Sequence, residues 1–252
     1  VSLSYVALCH TGLVRAANED TILVGDWVSR DSRKSQSSGS IEFEESVLFA
    51  VSDGMGGHGH GDWASETIIR NLANWPGSEK ARDEILRLLD DLNDEIHRIS
   101  NMDPKLQSAG ATLAGLEVTQ QHVSWFNIGD SRIYRLRNGF LTAISVDDVP
   151  PTDAITGVKS GRITQCFGGG GAPLRLSPHF GSEPLNPMCL YMLCSDGLTD
   201  MLEDPEIEAC LNKHGIDATK HLFDLAMKNG GIDNISIILL KCDDIGSEGI
   251  SS

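Results

Sequence analysis

The sequence has little positive charge. Its 20 Lys and Arg residues stand against 36 Asp and Glu residues, which gives a formal net charge of -16. No run of basic residues offsets this excess. Because binding to nucleic acids or anionic lipids depends on clustered positive charge, we expect neither a nucleic-acid nor a membrane partner. A cation bound in an acidic cleft would, by contrast, lower the self-repulsion of the chain.

Long apolar runs and closely paired cysteines are also missing. No apolar stretch approaches the roughly 20 residues that span a bilayer, and the N-terminus lacks the charged and apolar regions of a signal peptide. The six cysteines show no CxxC spacing and several lie inside apolar runs, which favours buried free thiols over disulfides or zinc sites. These absences predict a soluble cytoplasmic protein.

Two apolar runs end at the same tripeptide. Residues 47–51 and residues 189–194 are each followed by Ser-Asp-Gly. Such runs are typical of strands buried on both faces, so each brings a carboxylate to the end of a core strand. Two further acids directly precede or open apolar runs. The four acids at strand ends are Asp20, Asp53, Asp196 and Asp233. Carboxylates held together are costly unless cations neutralise them, so the pattern predicts a site for hard metal ions.

The spacing of apolar residues outlines the elements. It predicts helices at 62–75 and 79–99 and a second helix pair at 205–213 and 218–228. Alternation and turn residues predict strands elsewhere, including an antiparallel meander over 111–146. The Ser-rich stretch 29–45 has no apolar periodicity and is predicted to be a mobile hairpin loop.

The order of these elements indicates the fold class. Strands, two helices, a meander, two helices and a final strand do not give the alternation of a parallel α/β sheet. The order predicts an α/β (α+β) fold in the form of a four-layer αββα sandwich, with two mainly antiparallel sheets flanked by helix pairs. No linker divides the chain, so we expect one domain over residues 1–244 and a polar tail at 245–252.

Six short motifs follow one another through nearly the whole chain. They are TGLVR with NED within 11–20, SDGMGGH at 52–58, SAGAT at 108–112, NIGDSR at 127–132, SDGLTD at 195–200 and GIDNIS at 231–236. In this order they resemble the motifs of the metal-dependent protein phosphatases, the PPM or protein phosphatase 2C family. The resemblance implies hydrolysis of phosphoserine and phosphothreonine in phosphoproteins, opposing a bacterial Ser/Thr kinase.

The same resemblance implies a ligand set for two Mg²⁺ or Mn²⁺ ions. Asp53 is similar to the carboxylate that bridges both ions. Asp196 and Asp233 resemble the remaining protein ligands of one ion. Asp20 and the backbone carbonyl of Gly54 would serve the other ion. Two such ions, about 3.5–4 Å apart, can activate a water and neutralise charge on a phosphate ester.

Three further residues receive roles from the resemblance. Glu19 would act on its ion through water, and Asp130 resembles the acid that, with Asp196, holds a weaker third ion in bacterial members. Arg15 resembles the phosphate-binding arginine, whose fork matches two phosphate oxygens. Arg15 and Asp53 are therefore the predicted catalytic residues.

Two departures from the family pattern stand out. Met55 occupies the place where eukaryotic relatives carry a histidine proposed as general acid. The segment 147–172, where bacterial relatives insert a helical flap, is short and rich in Gly and Pro. The alternative function is a non-catalytic regulatory or scaffold module that keeps the fold. The complete carboxylate set argues against this alternative, because an inactive relative would be free to lose it.

Overall fold

The computed structural model describes residues 2–29, 33–56, 60–75, 81–151, 162–170 and 175–243. The elements of the first part are β1 (Ser2–His10), β2 (Thr21–Val24), β3 (Trp27–Val28), β4 (Lys34–Glu42), β5 (Ser46–Ser52), β6 (Gly54–Met55), α1 (Gly61–Leu72) and α2 (Ala81–Ser100). The meander and its sequel are β7 (Gly110–Ala111), β8 (Leu113–Thr119), β9 (His122–Ile128), β10 (Arg132–Arg137), β11 (Phe140–Ala143), β12 (Phe167–Gly168) and β13 (His179–Pro184). The last part contains β14 (Leu190–Cys194), α3 (Asp196–Thr199), α4 (Asp204–His214), α5 (Ala218–Lys228) and β15 (Ile235–Cys242).

Two six-stranded sheets form the centre of the molecule. The first has the order β11-β10-β14-β15-β1-β4 and the second has the order β13-β9-β8-β5-β2-β3. A small third sheet, β12-β7-β6, lies beside them. All neighbouring strands are antiparallel, as the sequence predicts.

Apolar residues form three contiguous layers between these elements. Side chains such as Phe49 of the second sheet and Ile238 of the first fill the space between the sheets. The helices α1 and α2 cover the second sheet through residues such as Ile68, and α3 to α5 cover the first through residues such as Leu222. This arrangement confirms the predicted αββα sandwich. All six cysteines are free thiols.

The longest described helix is α2, with 20 residues. It is amphipathic: Ile85, Leu89 and Ile96 are buried against the second sheet, and acidic and basic side chains cover the opposite face. Within the described ranges, no helix combines the length and the hydrophobicity needed to cross a bilayer.

The prediction of a mobile loop over 29–45 is wrong for most of that stretch. The strand β4 pairs with β1 over nine residues, from Lys34 opposite His10 to Glu42 opposite Ser2. Its sequence shows no apolar periodicity because β4 is an edge strand, whose backbone is held by β1 while most of its side chains face solvent. Within the predicted flap, residues 152–161 and 171–172 lie outside the described residues, and so does the predicted tail at 245–252.

The pairing of β4 with β1 predicts a definite pattern of hydrogen exchange. In an antiparallel edge strand, every second amide donates to the neighbouring strand and the others face solvent. We therefore expect alternating slow and fast exchange along residues 34–42, measured by NMR on the intact protein. Uniformly fast exchange at the rate of an unstructured peptide would contradict this strand.

Candidate metal centre

Four strand ends bring the predicted ligands together. Asp20 directly precedes β2 and Asp53 directly follows β5, and these strands pair with Thr21 opposite Ser52. In the first sheet, Asp196 follows β14 and Asp233 precedes β15, which is the neighbouring strand. Because the two sheets pack face to face, the four side chains meet at one edge of the sandwich. Charge on each of Asp20, Asp196 and Asp233 raises the pKa of Asp53.

The environment disfavours the ionised forms of Asp20, Asp53 and Asp196. Burial, followed by the neighbouring carboxylates, raises the pKa of Asp196 to about 7 and that of Asp53 well above its usual range. Burial also raises the pKa of Asp20 to about 6, against hydrogen bonds that stabilise its charge. A site that holds buried carboxylates in this state is ready to bind a cation, because a cation restores the charged form.

Two serines fix the orientation of Asp20. Its Oδ2 accepts hydrogen bonds from Ser195 Oγ at 2.9 Å and from Ser236 Oγ at 2.7 Å. Asp20 belongs to the second sheet and both serines to the first, so this contact crosses between the sheets. The other oxygen, Asp20 Oδ1, is buried and accepts no hydrogen bond from the described residues. The sequence motifs identify the aspartates as candidate ligands, whereas only the fold shows that these two serines orient Asp20.

Asn234 joins the two loops that carry the acids. Its Nδ2 donates to the carbonyls of Thr11 at 2.9 Å and Ala17 at 3.0 Å, and its Oδ1 accepts from the amide of Glu19 at 2.7 Å. The backbone also comes very close here, since a Cβ on Gly12 would lie 2.1 Å from the carbonyl oxygen of Asp233. The loop of residues 11–20 is therefore clamped to the loop that precedes β15.

Glu19 and Gly54 are packed against the start of α1. The carbonyl of Glu19 accepts from the amide of Gly54 at 3.1 Å and from Ser65 Oγ at 2.6 Å, and its Oε1 accepts from the amide of Gly61 at 3.3 Å. A Cβ on Gly54 would lie 2.4 Å from the backbone of Gly61, so only glycine fits. Met55, the position of the expected histidine, pairs with Gly110 in the small sheet, and His58 lies outside the described residues.

Asp130 lies beside this group at the end of β9. Burial first, and then the charges of Asp147 and Asp200, raise its pKa to about 6. Its Oδ1 is buried with no hydrogen-bond donor among the described residues, and its charge in turn raises the pKa of Asp196. The structure thus places Asp130 next to Asp196, the pair that the sequence assigns to a third ion.

The turn that carries Asp130 rests on Asp148, a residue without a predicted role. The carboxylate of Asp148 accepts hydrogen bonds from the amide of Gly129 at 2.8 Å, Gln165 Nε2 at 2.9 Å and His179 Nε2 at 2.9 Å. Its carbonyl accepts from the amide of Thr164 at 2.7 Å. Asp148 therefore connects the Asp130 turn to both ends of the segment 149–163.

Arg15 lies at the mouth of the site. Its Nη2 donates to Asp233 Oδ2 at 2.6 Å, and 55% of its side chain is exposed. The charges of Asp196 and Asp53 also act on it, which places the guanidinium within the field of the acidic group. A half-exposed guanidinium beside buried carboxylates can meet an anion that arrives from solvent.

The donor set fits hard divalent cations. Among the described residues, no three acidic, His or Cys side chains already surround one point closely enough to hold an ion. Free buried oxygens nevertheless remain on Asp20, Asp130 and Asp196. Carboxylate oxygens without a donor are the ligands that Mg²⁺ and Mn²⁺ prefer.

Comparisons with known proteins agree with this chemistry. The family model described as protein phosphatase 2C matches residues 34–225. The serine/threonine protein phosphatase PstP of Mycobacterium tuberculosis is 32% identical over 96% of this chain, which spans only 45% of the length of that relative. The serine/threonine phosphatase stp of Listeria monocytogenes is 29% identical, with 78% of this chain and 84% of the relative covered.

A solved structure gives the same result for the fold. The catalytic domain of the serine/threonine protein phosphatase PstP, in complex with two manganese ions, superposes with a TM-score of 0.72 at 29% identity. The match covers 95% of this chain and 98% of that chain.

The raised pKa values predict how metal-free stability depends on pH. The unfolded chain releases these protons near the ordinary pKa of about 3.9, whereas the folded chain holds those of Asp20 and Asp196 up to about 6 and about 7. The unfolded state therefore binds fewer protons between these values, and the free energy of unfolding falls as pH rises from about 4 to about 7. In EDTA, Asp53→Asn should flatten this fall, measured as melting temperature against pH.

The matched control is Asp91→Asn, which removes one exposed carboxylate from α2. It should leave the pH dependence of the wild-type protein unchanged. Saturating Mn²⁺ should raise the wild-type melting temperature by on the order of 5 °C, because it binds the folded state alone. A pH profile that Asp53→Asn and Asp91→Asn alter equally would show that the buried cluster is not its origin.

Proposed function

We propose, since this chain belongs to the protein phosphatase 2C family, that it hydrolyses phosphoserine and phosphothreonine esters in proteins with the help of bound metal ions. The observation that carries the proposal is the group of four carboxylates at strand ends, of which Asp20 and Asp196 each have a buried oxygen that accepts no hydrogen bond from the described residues. In this proposal residues 1–244 form one catalytic domain. The six sequence motifs and the names of the bacterial relatives support this function.

The proposed ligands follow the strand ends. Asp53 would be shared between two ions, with Asp196 and Asp233 on one of them. Asp20 and the carbonyl of Gly54 would hold the second ion, with Glu19 acting through water. When bound, two Mg²⁺ or Mn²⁺ ions would supply an activated water and neutralise charge on the phosphate. Manganese is supported by the two ions in the PstP catalytic domain.

The pairing of Asp130 with Asp196 supports a weaker third ion. Both acids are partly buried, each has a buried Oδ1 that accepts no hydrogen bond from the described residues, and each lies in the field of other carboxylates. Asp147 and Asp200 add negative charge around Asp130 and so favour a further cation there. The position of this ion beside the main pair would depend on the turn held by Asp148.

Arg15 would bind the substrate phosphate. Its guanidinium is already oriented by Asp233, which lowers the entropy cost of placing it on an incoming anion. The exposed part of the fork can contact two phosphate oxygens. Met55 has no proton to donate, so in this proposal the leaving oxygen takes its proton from water.

The natural substrates would be phosphoproteins made by a cognate Ser/Thr kinase, and the site of action would be the cytoplasm. The relatives named as serine/threonine phosphatases support this substrate class. The non-catalytic alternative is disfavoured, because every acid that the family motif requires is present and the structure brings the buried ones together.

Asp196→Asn tests the metal-dependent chemistry. Loss of this carboxylate removes a negative charge that would hold the metal ions, and those ions would neutralise charge on the phosphate. Turnover of p-nitrophenyl phosphate with Mn²⁺ should therefore fall on the order of 100-fold or more. Circular dichroism should show an intact fold. Asp91→Asn is again the charge-matched control and should keep wild-type turnover. Near-normal turnover by Asp196→Asn would contradict the assignment of Asp196 as a metal ligand.

Arg15→Ala tests phosphate binding. Loss of the fork should raise KM for a phosphopeptide on the order of tenfold, with a smaller effect on kcat, because the guanidinium contacts the substrate before and during reaction. Metal affinity, measured by calorimetry with Mn²⁺, should not weaken, since Asp233 is released from its cation partner. Weakened metal binding with unchanged KM would assign Arg15 a structural role instead.

A further inference from the structure

Three aliphatic side chains stand exposed beside the ion pair of Arg15 and Asp233. The exposed fractions are 62% for Leu13, 66% for Val14 and 50% for Ile232. Leu13 and Val14 directly precede Arg15, and Ile232 directly precedes Asp233. Single exposed aliphatic residues are ordinary on protein surfaces, but three that border one functional ion pair call for an explanation.

The backbone holds these residues firmly in place. The amide of Leu13 donates to the carbonyl of Gly231 at 2.7 Å, which joins the two loops directly. A Cβ on Gly231 would lie 3.3 Å from Leu13 Cγ, so the side chain of Leu13 rests on the loop that carries Ile232. Together with the bonds of Asn234, these contacts hold the two loops against each other and keep the three aliphatic residues beside Arg15.

A second copy of the chain is a poor partner for this surface. Each copy has a formal net charge of -16, so two copies repel. Three side chains also offer far less than the roughly 1,200 Å² that a stable interface buries. The surface is instead continuous with the residue proposed to bind phosphate. A phosphate on Arg15 would bring the residues next to the phosphorylated side chain over Leu13, Val14 and Ile232.

We propose that Leu13, Val14 and Ile232 form an apolar rim that binds an aliphatic side chain adjacent to the phosphorylated residue of the substrate. The inference rests on the proposed function of this site and adds a substrate preference to it. The rim borders Arg15, while the acidic group lies behind it, so an acidic neighbour in the substrate would be repelled. Preferred substrates are therefore phosphoproteins with Leu, Ile or Val beside the phosphorylated residue.

The experiment uses one neutral peptide scaffold with a single phosphothreonine. The residue before it and the residue after it are replaced in turn by Leu, Ser or Glu, and phosphate release is measured with Mn²⁺. For wild-type protein, Leu in at least one of the two positions should give a kcat/KM about fivefold higher than Ser, from partial burial of its side chain. Glu should give the lowest value.

The rim is then tested by the ratio of kcat/KM for the Leu and Ser peptides. Because both peptides are measured on one enzyme sample, changes in overall activity cancel from this ratio. In Leu13→Ser the ratio should fall to about 1, and Ile232→Ser on the other loop should lower it in the same direction. Phe140→Ser is the matched control, because Phe140 is 73% exposed on the edge strand β11, and it should keep the wild-type ratio.

The outcomes distinguish a failure of this inference from a failure of the proposed function on which it rests. Wild-type protein that hydrolyses p-nitrophenyl phosphate but does not distinguish Leu from Ser overturns the rim alone. A ratio that both rim variants retain, or that Phe140→Ser lowers equally, also overturns it. If Leu13→Ser fails to fold, Ile232→Ser decides. Wild-type protein that hydrolyses neither p-nitrophenyl phosphate nor any peptide refutes the proposed function, and the rim with it.

Discussion

The structure depends on holding four acidic side chains close together at the edge where the two sheets meet. Asp20 and Asp53 come from one sheet and Asp196 and Asp233 from the other, so packing the sheets forces four acids into a shared, mostly buried space. The fold opposes their repulsion with specific partners: hydroxyls of Ser195 and Ser236 on Asp20, and the guanidinium of Arg15 on Asp233. Those partners leave several oxygens free, and a bound cation would complete the neutralisation.

Close backbone contacts hold this arrangement to a narrow geometry. Gly12 lies against Asp233, and a Cβ on Gly197 would lie 1.9 Å from the carbonyl oxygen of Asn234. The glycine after Asp196 is therefore required by this close approach of the backbone. Asn234 donates hydrogen bonds to two carbonyls of the neighbouring loop, those of Thr11 and Ala17. Residues of the phosphatase motifs thus support one another's positions, which explains why they occur together in one chain.

Local sequence patterns predict the helices and strands that bury one face, and they miss the strands that are held mainly by backbone hydrogen bonds. The helix at 218–228 matches its predicted bounds, because apolar periodicity reports burial directly. The strand β4 escapes prediction because its polar side chains carry no such signal. Asp148 escapes for another reason: its partners Gly129, Gln165 and His179 are far apart in sequence, and only the tertiary fold brings them together. The acids themselves are visible from the sequence because each lies at the end of an apolar run.

The bonds of Asp148 also bear on how such a protein can diverge. The carbonyl of Asp148 accepts a hydrogen bond from the amide of Thr164, so the two ends of the segment 149–163 are held next to each other. Once the ends of a segment are fixed, each doubling of its length costs only about 0.6 kcal/mol in closure entropy. Insertions or deletions between residues 149 and 163 can therefore accumulate without moving the carboxylates.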